Sequence, residues 1–330
     1  MTRVLVTGVG GPAGVAVLRS LLRRPGVEVY AADMDGWAAG LYLVPGDRRR
    51  LVPPGAEPGF AQAIGELCAD DRIDVLFPTV DAELLPLAGA REELRSAGTT
   101  LAAPATETLR LCLDKAALAE RCAPTVRVPD TRVLEGSAPD ADWRFPVIVK
   151  PRSGSGSRGV RQVPDRDTLR ALAPDPTLIV QELLPGEEYS VDVLADASGR
   201  VVAVVPRTRS RVDSGVSIAG MTVRDPDLER AAAATAEAIG LVGVANVQLR
   251  RDESDRPALL EVNPRFPGAL PLTIAAGADL PALALDLALG RPLPDAVPFR
   301  EIAGVRFLED VFCPPGEILR SAYAAHQEEP

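Results

Sequence analysis

Short apolar runs alternate with amphipathic stretches over the first hundred positions. Residues 4–7, 27–33 and 75–79 read as buried strands, and 13–23, 60–69 and 83–97 as helices. Such alternation predicts a parallel sheet with helices on both faces, an α/β unit. Beyond residue 99 the pattern changes. Helices are predicted at 106–112 and onward through 119, and an edge strand near 126–133 in a stretch rich in Pro and Asp. A strand then ends at Lys150, and a helix at 165–172 leads to a strand at 178–181. Two strand pairs follow: 188–194 with 201–205, and 243–250 with 258–262 across the charged turn 251–256. An Ala-rich helix is expected between them at 227–239, with further helices at 271–277 and 281–289.

Composition narrows the function classes. The 330 residues are 46% hydrophobic and 25% charged, with no run of 18 apolar positions, so a soluble, cytoplasmic chain with no membrane partner is expected. A net charge of −10 argues against a nucleic-acid partner, and Arg48-Arg49-Arg50 reads as a solvated turn. Cys68, Cys112, Cys122 and Cys313 lack metal-ligand spacing, and three of them sit in apolar helical contexts. The single histidine, His326, lies near a polar C-terminus, which removes Ser-His-Asp, Cys-His and His-metal chemistry. Catalysis must then rest on Arg, Lys, carboxylates, amides or a metal held by oxygen.

The lysines are the sharpest signal. Of 36 basic residues only Lys115 and Lys150 are Lys. A compact ammonium is not equivalent to a guanidinium fork, so each position points to a phosphate reached by a point charge. Lys115 opens a helical run after Leu113-Asp114. Lys150 ends a strand-like run and is followed by Ser153-Gly154-Ser155-Gly156-Ser157-Arg158-Gly159. Glycines let the backbone approach anionic oxygens, and serines add donors. The loop is no P-loop, because Lys precedes the glycines.

Other constellations carry alternatives. Gln181-Glu182-Leu183-Leu184 ends a strand whose free backbone edge can read an adenine, with Glu188 on ribose hydroxyls; a surface turn with solvated glutamates competes. Asn246 and Gln248 face Glu261, Asn263 and Arg265 on the next strand, and period-two spacing puts the latter three on one face. Carboxylate and amide oxygens suit Mg²⁺, and Arg265 beside them can stabilise developing charge. Alternate arginines at 207, 209 and 211 follow a strand. Arg207 and Arg211 are the favoured binders of a substrate carboxylate or phosphate, against a solvated cationic strand. Gly8, Gly11 and Gly14, with Asp33 beyond, partly match a dinucleotide fingerprint, but the spacing fits a tight turn better. Thr79, Asp81 and Glu83 lie at the strand carboxyl edge, where they line a pocket or Asp81 caps a helix.

In this order these pieces resemble the ATP-grasp superfamily over residues 3–310, nearest its carbamoyl phosphate synthetase and biotin carboxylase branch. The resemblance implies an N-terminal Rossmann-like domain (1–105) without a dinucleotide, then a two-part ATP-grasp fold divided as 106–184 and 185–330. It implies that Lys115, Lys150 and the 153–159 loop hold ATP phosphates, that Glu182 and Leu184 meet adenine through backbone atoms, and that Glu188 meets ribose. It places Mg²⁺, or Mn²⁺ in its stead, on Gln248, Glu261 and Asn263, with Gln248 standing where many relatives have Glu. Arg265 and Lys150 become the catalytic residues; Arg207, Arg211, Asp81 and Arg265 bind substrate. The implied activity is a stand-alone ligase that turns a carboxylate into an acyl phosphate and couples it to an amine, releasing ADP and phosphate, in a chain that relatives suggest is a homodimer. Bicarbonate-dependent carboxylation and a non-catalytic nucleotide-binding module are the alternatives.

Overall fold

The computed structural model describes residues 1–136, 138–154, 159–213 and 215–320. The chain opens with β1 (Thr2–Thr7), α1 (Pro12–Leu21), β2 (Val27–Asp33), β3 (Arg49–Leu51), α2 (Phe60–Asp71), β4 (Val75–Phe77), α3 (Asp81–Gly89), α4 (Arg91–Ser96) and β5 (Thr100–Leu101). Its strands form one parallel sheet in the order β3-β2-β1-β4-β5. Both faces are buried, as a parallel sheet requires. Val4 and Val6 join a core with α1, while Leu5 and Leu76 join another with Phe60 and Ile64 of α2. The helix predicted over 83–97 is broken: Ala90 leaves helical geometry with ψ 8°. Arg91, directly after it, donates to the carbonyls of Leu101, Ala103 and Pro104 and so ties the break to the chain leaving β5.

Two tight approaches explain the glycine-rich turn. Gly8 adopts φ +66°, a conformation that side chains rarely take. A Cβ on Gly14 would sit 2.1 Å from the Gly8 carbonyl oxygen, so α1 packs directly on the turn.

The chain continues through α5 (Thr106–Leu113), α6 (Lys115–Cys122), β6 (Thr131–Leu134), β7 (Val147–Pro151), β8 (Arg161–Val163), α7 (Arg166–Arg170) and β9 (Asp175–Glu182). Four strands make an antiparallel sheet, β6-β9-β7-β8, with β6 at an edge. One face carries Val147, Val149 and Val180 against Trp143 and Leu169. α5 and α6 pack elsewhere: Cys112, Leu118 and Cys122 join the core of the following sheet.

That sheet is β11-β10-β14-β15, built from β10 (Glu188–Ala195), β11 (Val201–Thr208), β14 (Gly243–Arg251) and β15 (Pro257–Asn263). β12 (Arg211–Asp213), β13 (Val216–Met221) and β16 (Ala303–Val305) form a small third antiparallel sheet. α8 (Pro226–Ala238) follows β13, and α9 (Leu270–Ala275) and α10 (Leu280–Ala288) follow β15.

The two faces of the β11-β10-β14-β15 sheet differ. Val191, Val193, Ala245, Val247 and Leu249 point to α5, α6 and α8. The opposite face begins apolar, with Leu194 and Val244 in the core shared with α1 and α10. It then turns polar through Asp192 and Asn246, then Ser190 and Gln248, then Glu188 and Arg250, which are directly opposed pairs. Period-two alternation thus buries half of one face and leaves the other half as the floor of a cleft. Among the described residues no helix is long and apolar enough to cross a membrane.

Candidate active site

The polar half of that sheet faces the β6-β9-β7-β8 sheet across a cleft of about 220 Å³. Lys115, Lys150, Gly154, Gln181, Glu182, Leu183, Leu184, Glu188, Gln248 and Glu261 all line it, so residues from distant stretches of sequence converge.

Each lysine is placed by local chemistry. Asp114 caps α6 by accepting from the backbone N–H of Ala116 (3.1 Å) and Ala117 (3.2 Å). Arg152 grips the same carboxylate at 2.8 and 2.6 Å, and the Lys115 N–H donates to the Arg152 carbonyl at 3.0 Å. The start of α6 is therefore pinned to the end of β7, which presents Lys150. Lys115 Nζ donates to the Gly154 carbonyl at 2.6 Å and stands 3.7 Å from a Glu261 carboxylate oxygen. Lys150 is buried, and loss of hydration pushes its pKa down to about 8; Lys115 lowers it further, while Glu261 and Glu188 oppose the shift. Two ammonium groups therefore line one cleft beside a single carboxylate, an arrangement suited to a polyanion.

Gln248 and Glu261 are directly opposed on β14 and β15, and Asn246 and Asn263 form a second opposed pair. The register slips between Gln248 and Leu249, which makes Leu260 the extra residue of a bulge and re-aims Glu261. Leu260 itself lines the cleft. No cluster of three His, Cys, Asp or Glu side chains occurs among the described residues. One carboxylate with amide oxygens from Gln248 and Asn263 nonetheless fits Mg²⁺, which takes one or two protein carboxylates together with phosphate oxygens.

At the strand end, Gln181 is buried and donates to Thr131 Oγ1 at 2.9 Å. The Glu182 side chain is held by Arg127 at 2.8 and 2.7 Å, and its N–H donates to the Asp130 carbonyl. The N–H groups of Leu183 and Leu184 have no acceptor among the described residues, so the free edge expected at 182–184 narrows to these two on the donor side. Of the glycine loop, Ser153 is exposed, Gly154 takes φ +115° and Gly159 φ +71°. Ser155, Gly156 and Ser157 lie outside the described residues.

The arginine segment needs correction. Arg207 is 1% exposed and forms a buried ion pair with Asp192, at 3.0 Å from Nε and 2.7 Å from Nη2. Asn246 Nδ2 and the Thr273 hydroxyl complete the Asp192 shell. Arg207 lies on the cleft face, but α9 covers it, so it holds the sheet together and cannot reach a substrate. Arg211 is exposed on β12 and does not line the cleft. Arg209, passed over between them, does: it contacts Glu188 at 2.9 Å, Ser190 Oγ at 3.1 Å and the Gly215 carbonyl at 3.2 Å. The Glu188 carboxylate is thereby engaged by a cation. Ile148 and Arg250 also line the cleft without having been singled out in the sequence.

Asp81 and Arg265 meet across the molecule. Asp81 is the first residue of α3, not its cap, and accepts from Arg265 Nε at 2.6 Å and Nη2 at 2.8 Å. This bidentate pair joins the parallel sheet to the end of β15.

A Rossmann-like unit leading into two antiparallel sheets that face each other across a cleft is the architecture of the ATP-grasp fold. Comparisons with known proteins agree. Residues 174–311 match the family model "ATP-grasp in the biosynthetic pathway with Ter operon", and 4–102 match the PylC-like N-terminal domain. Residues 174–311 thus match an ATP-grasp domain, and the chain as a whole has a biotin carboxylase-like fold. It is similar to the biotin carboxylase of Campylobacter jejuni (TM-score 0.75, 18% identity, 90% of this chain and 73% of that one). It is also similar to N5-carboxyaminoimidazole synthetase from Staphylococcus aureus (0.73, 16%, 90% and 80%) and to L-amino acid ligase from Bacillus licheniformis (0.68, 17%, 87% and 74%). Among curated sequences, mitochondrial acetyl-CoA carboxylase of Saccharomyces cerevisiae strain RM11-1a is 29% identical over 205 residues, 54% of this chain and 9% of the yeast protein. The chain thus spans about a tenth of the length of such relatives.

Proposed function

We propose that the protein uses ATP and Mg²⁺ to activate a carboxylate as an acyl phosphate and couples it to an amine, with release of ADP and phosphate. One observation carries this reading: the two lysines of an arginine-rich chain converge on one cleft, above an opposed Gln248–Glu261 pair. Nucleotide complexes among the structural neighbours support it, including the Staphylococcus aureus synthetase with ADP. Lys115 and Lys150 bind the phosphates from one side, with Gly154 beside Lys115. Leu184 N–H and the 181–184 edge receive the base, and Glu188 the ribose. Gln248, Glu261 and Asn263 hold the metal, which when bound neutralises phosphate charge. Arg265, oriented by Asp81, steadies charge on the reacting carboxylate. Alignment and charge neutralisation are what phosphoryl transfer asks of a protein. Arg209 takes the place proposed for Arg207 and Arg211 at the cleft wall.

The test is ADP and phosphate release against a panel of acids and amines, with Lys150→Ala as control. Removing one well-placed charge of this kind costs about 10²–10³ in rate. Near-wild-type turnover of Lys150→Ala on a productive pair sinks the assignment. A second reading, carboxylation through bicarbonate, is favoured by the names of the acetyl-CoA carboxylase and biotin carboxylase relatives. Bicarbonate-dependent ATP hydrolysis without an organic acid would select it.

A further inference from the structure

A second and larger cavity, of about 520 Å³, opens at the carboxyl edge of the parallel sheet. Its walls come from the turn after β1, the stretch after β2 and the start of α3, where ligands of open α/β sheets collect. Three carboxylates line it: Asp33, Asp35 and Glu83. In a chain with 34 arginines, no Arg or Lys is among the lining residues, and none of the three carboxylates is in an ion pair among the described residues. Most other buried acids here have a cation, as Asp192 does. The hydrogen bonds that hold the three are to neutral groups. Asp33 accepts from the N–H of Gly10 at 2.7 Å and of Asp35 at 3.0 Å, and Glu83 accepts from the Thr7 hydroxyl at 2.6 Å. Burial pushes the carboxyl of Glu83 up to about 7 and raises that of Asp33, and a cation brought beside them would favour their ionised forms. At the rim stands Trp37, 73% exposed, an aromatic face over an acidic bowl.

We propose that this cavity is the binding site for an organic amine in its ammonium form, with an apolar or aromatic body and no phosphate. The carboxylates supply the counter-charge that the fold withholds, and Trp37 covers the body of the ligand by cation–π and apolar contact. A phosphorylated ligand is disfavoured by three acids and no cation. Val80 lines the cavity, and the next residue, Asp81, holds Arg265, the group proposed above to steady the reacting carboxylate. The assignment rests on the ligase reading, since it names the class of amine that ligase would take.

The experiment titrates the intact protein, without ATP, with phenethylamine, agmatine and 1,5-diaminopentane, by calorimetry and by tryptophan fluorescence. Trp143, the only other tryptophan, is buried, so a quench reports Trp37. N-acetylphenethylamine, adenosine and inorganic phosphate are the controls. The expected result is saturable amine binding with a Trp37 response, weakened roughly tenfold or more in both Glu83→Gln and the half-buried Asp35→Asn. Amine binding that both variants leave unchanged overturns the proposal. So does no amine binding at all, or binding of N-acetylphenethylamine or adenosine as tight as that of the amines. Mg-ATP binding at the cleft is measured separately on the same samples. A chain that binds amines here yet never releases ADP refutes the ligase reading and leaves the cavity standing.

Discussion

Raising the pH through Lys150 tests the cleft directly. Burial holds this ammonium near pKa 8 in place of its ordinary 10.5. That displacement corresponds to about 3 kcal/mol against the charged form. The sign for folding follows. The unfolded chain keeps the proton to about 10.5 and the folded one only to about 8, so the folding penalty is complete below pH 8 and is relieved between 8 and 10.5. Nucleotide binding runs the other way. A triphosphate against Lys150 returns its pKa toward the ordinary value, so binding takes up a proton wherever the free lysine has lost one. Between pH 7.5 and 9.5 Mg-ATP affinity should fall, approaching about tenfold per pH unit at the upper end. Calorimetry in two buffers of different ionisation enthalpy should show little proton uptake from this group at pH 7 and close to one proton at pH 9. Lys150→Met should bind weakly and lose the uptake. Affinity that is flat across this range, or an identical uptake in Lys150→Met, would refute the placement of Lys150 at the phosphates.

Gln248→Glu adds a second carboxylate opposite Glu261, and should lower the Mg²⁺ concentration needed for half-maximal nucleotide binding several-fold; an unchanged or higher requirement would move the metal off this strand pair. Asp192→Ala leaves the Arg207 guanidinium buried without its partner and should cost about 3–5 kcal/mol in urea unfolding, whereas Asp192→Leu combined with Arg207→Met should recover much of that loss. Gly14→Ala drives a methyl group to 2.1 Å from the Gly8 carbonyl oxygen, so it should destabilise by about 1–3 kcal/mol, seen as a lower Tm.

Features whose chemistry is local were legible in the sequence. Strands β1, β2 and β4, the helical run opening at Lys115 and the opposed Gln248–Glu261 pair all follow from spacing on one element or two neighbours, whereas the short β3 and β5 carry too few residues to show a period. Three things were not legible because they depend on what covers a residue. The break at Ala90 is set by Arg91 reaching carbonyls ten or more residues away. The Asp81–Arg265 pair spans 184 residues of sequence. Of the pocket offered at the strand carboxyl edge only Glu83 lines the acidic cavity, whose other acids come from the end of β2 and the stretch after it.

The arginine run shows the limit most plainly. Residues 207, 209 and 211 share one alternation, so periodicity gives them the same side and the same standing. Depth separates them. α9 lies over the inner part of the polar face, and Thr273 reaches Asp192, so the first arginine is sealed into a four-group network. The second stands past the cover, against Glu188 and Ser190, where the face opens into the cleft. The third falls after the sheet has ended and belongs to β12. A face assigned by period two is therefore a list of candidates ordered by distance from the covering helix, and the arginine that lines the cleft is the first one beyond its edge.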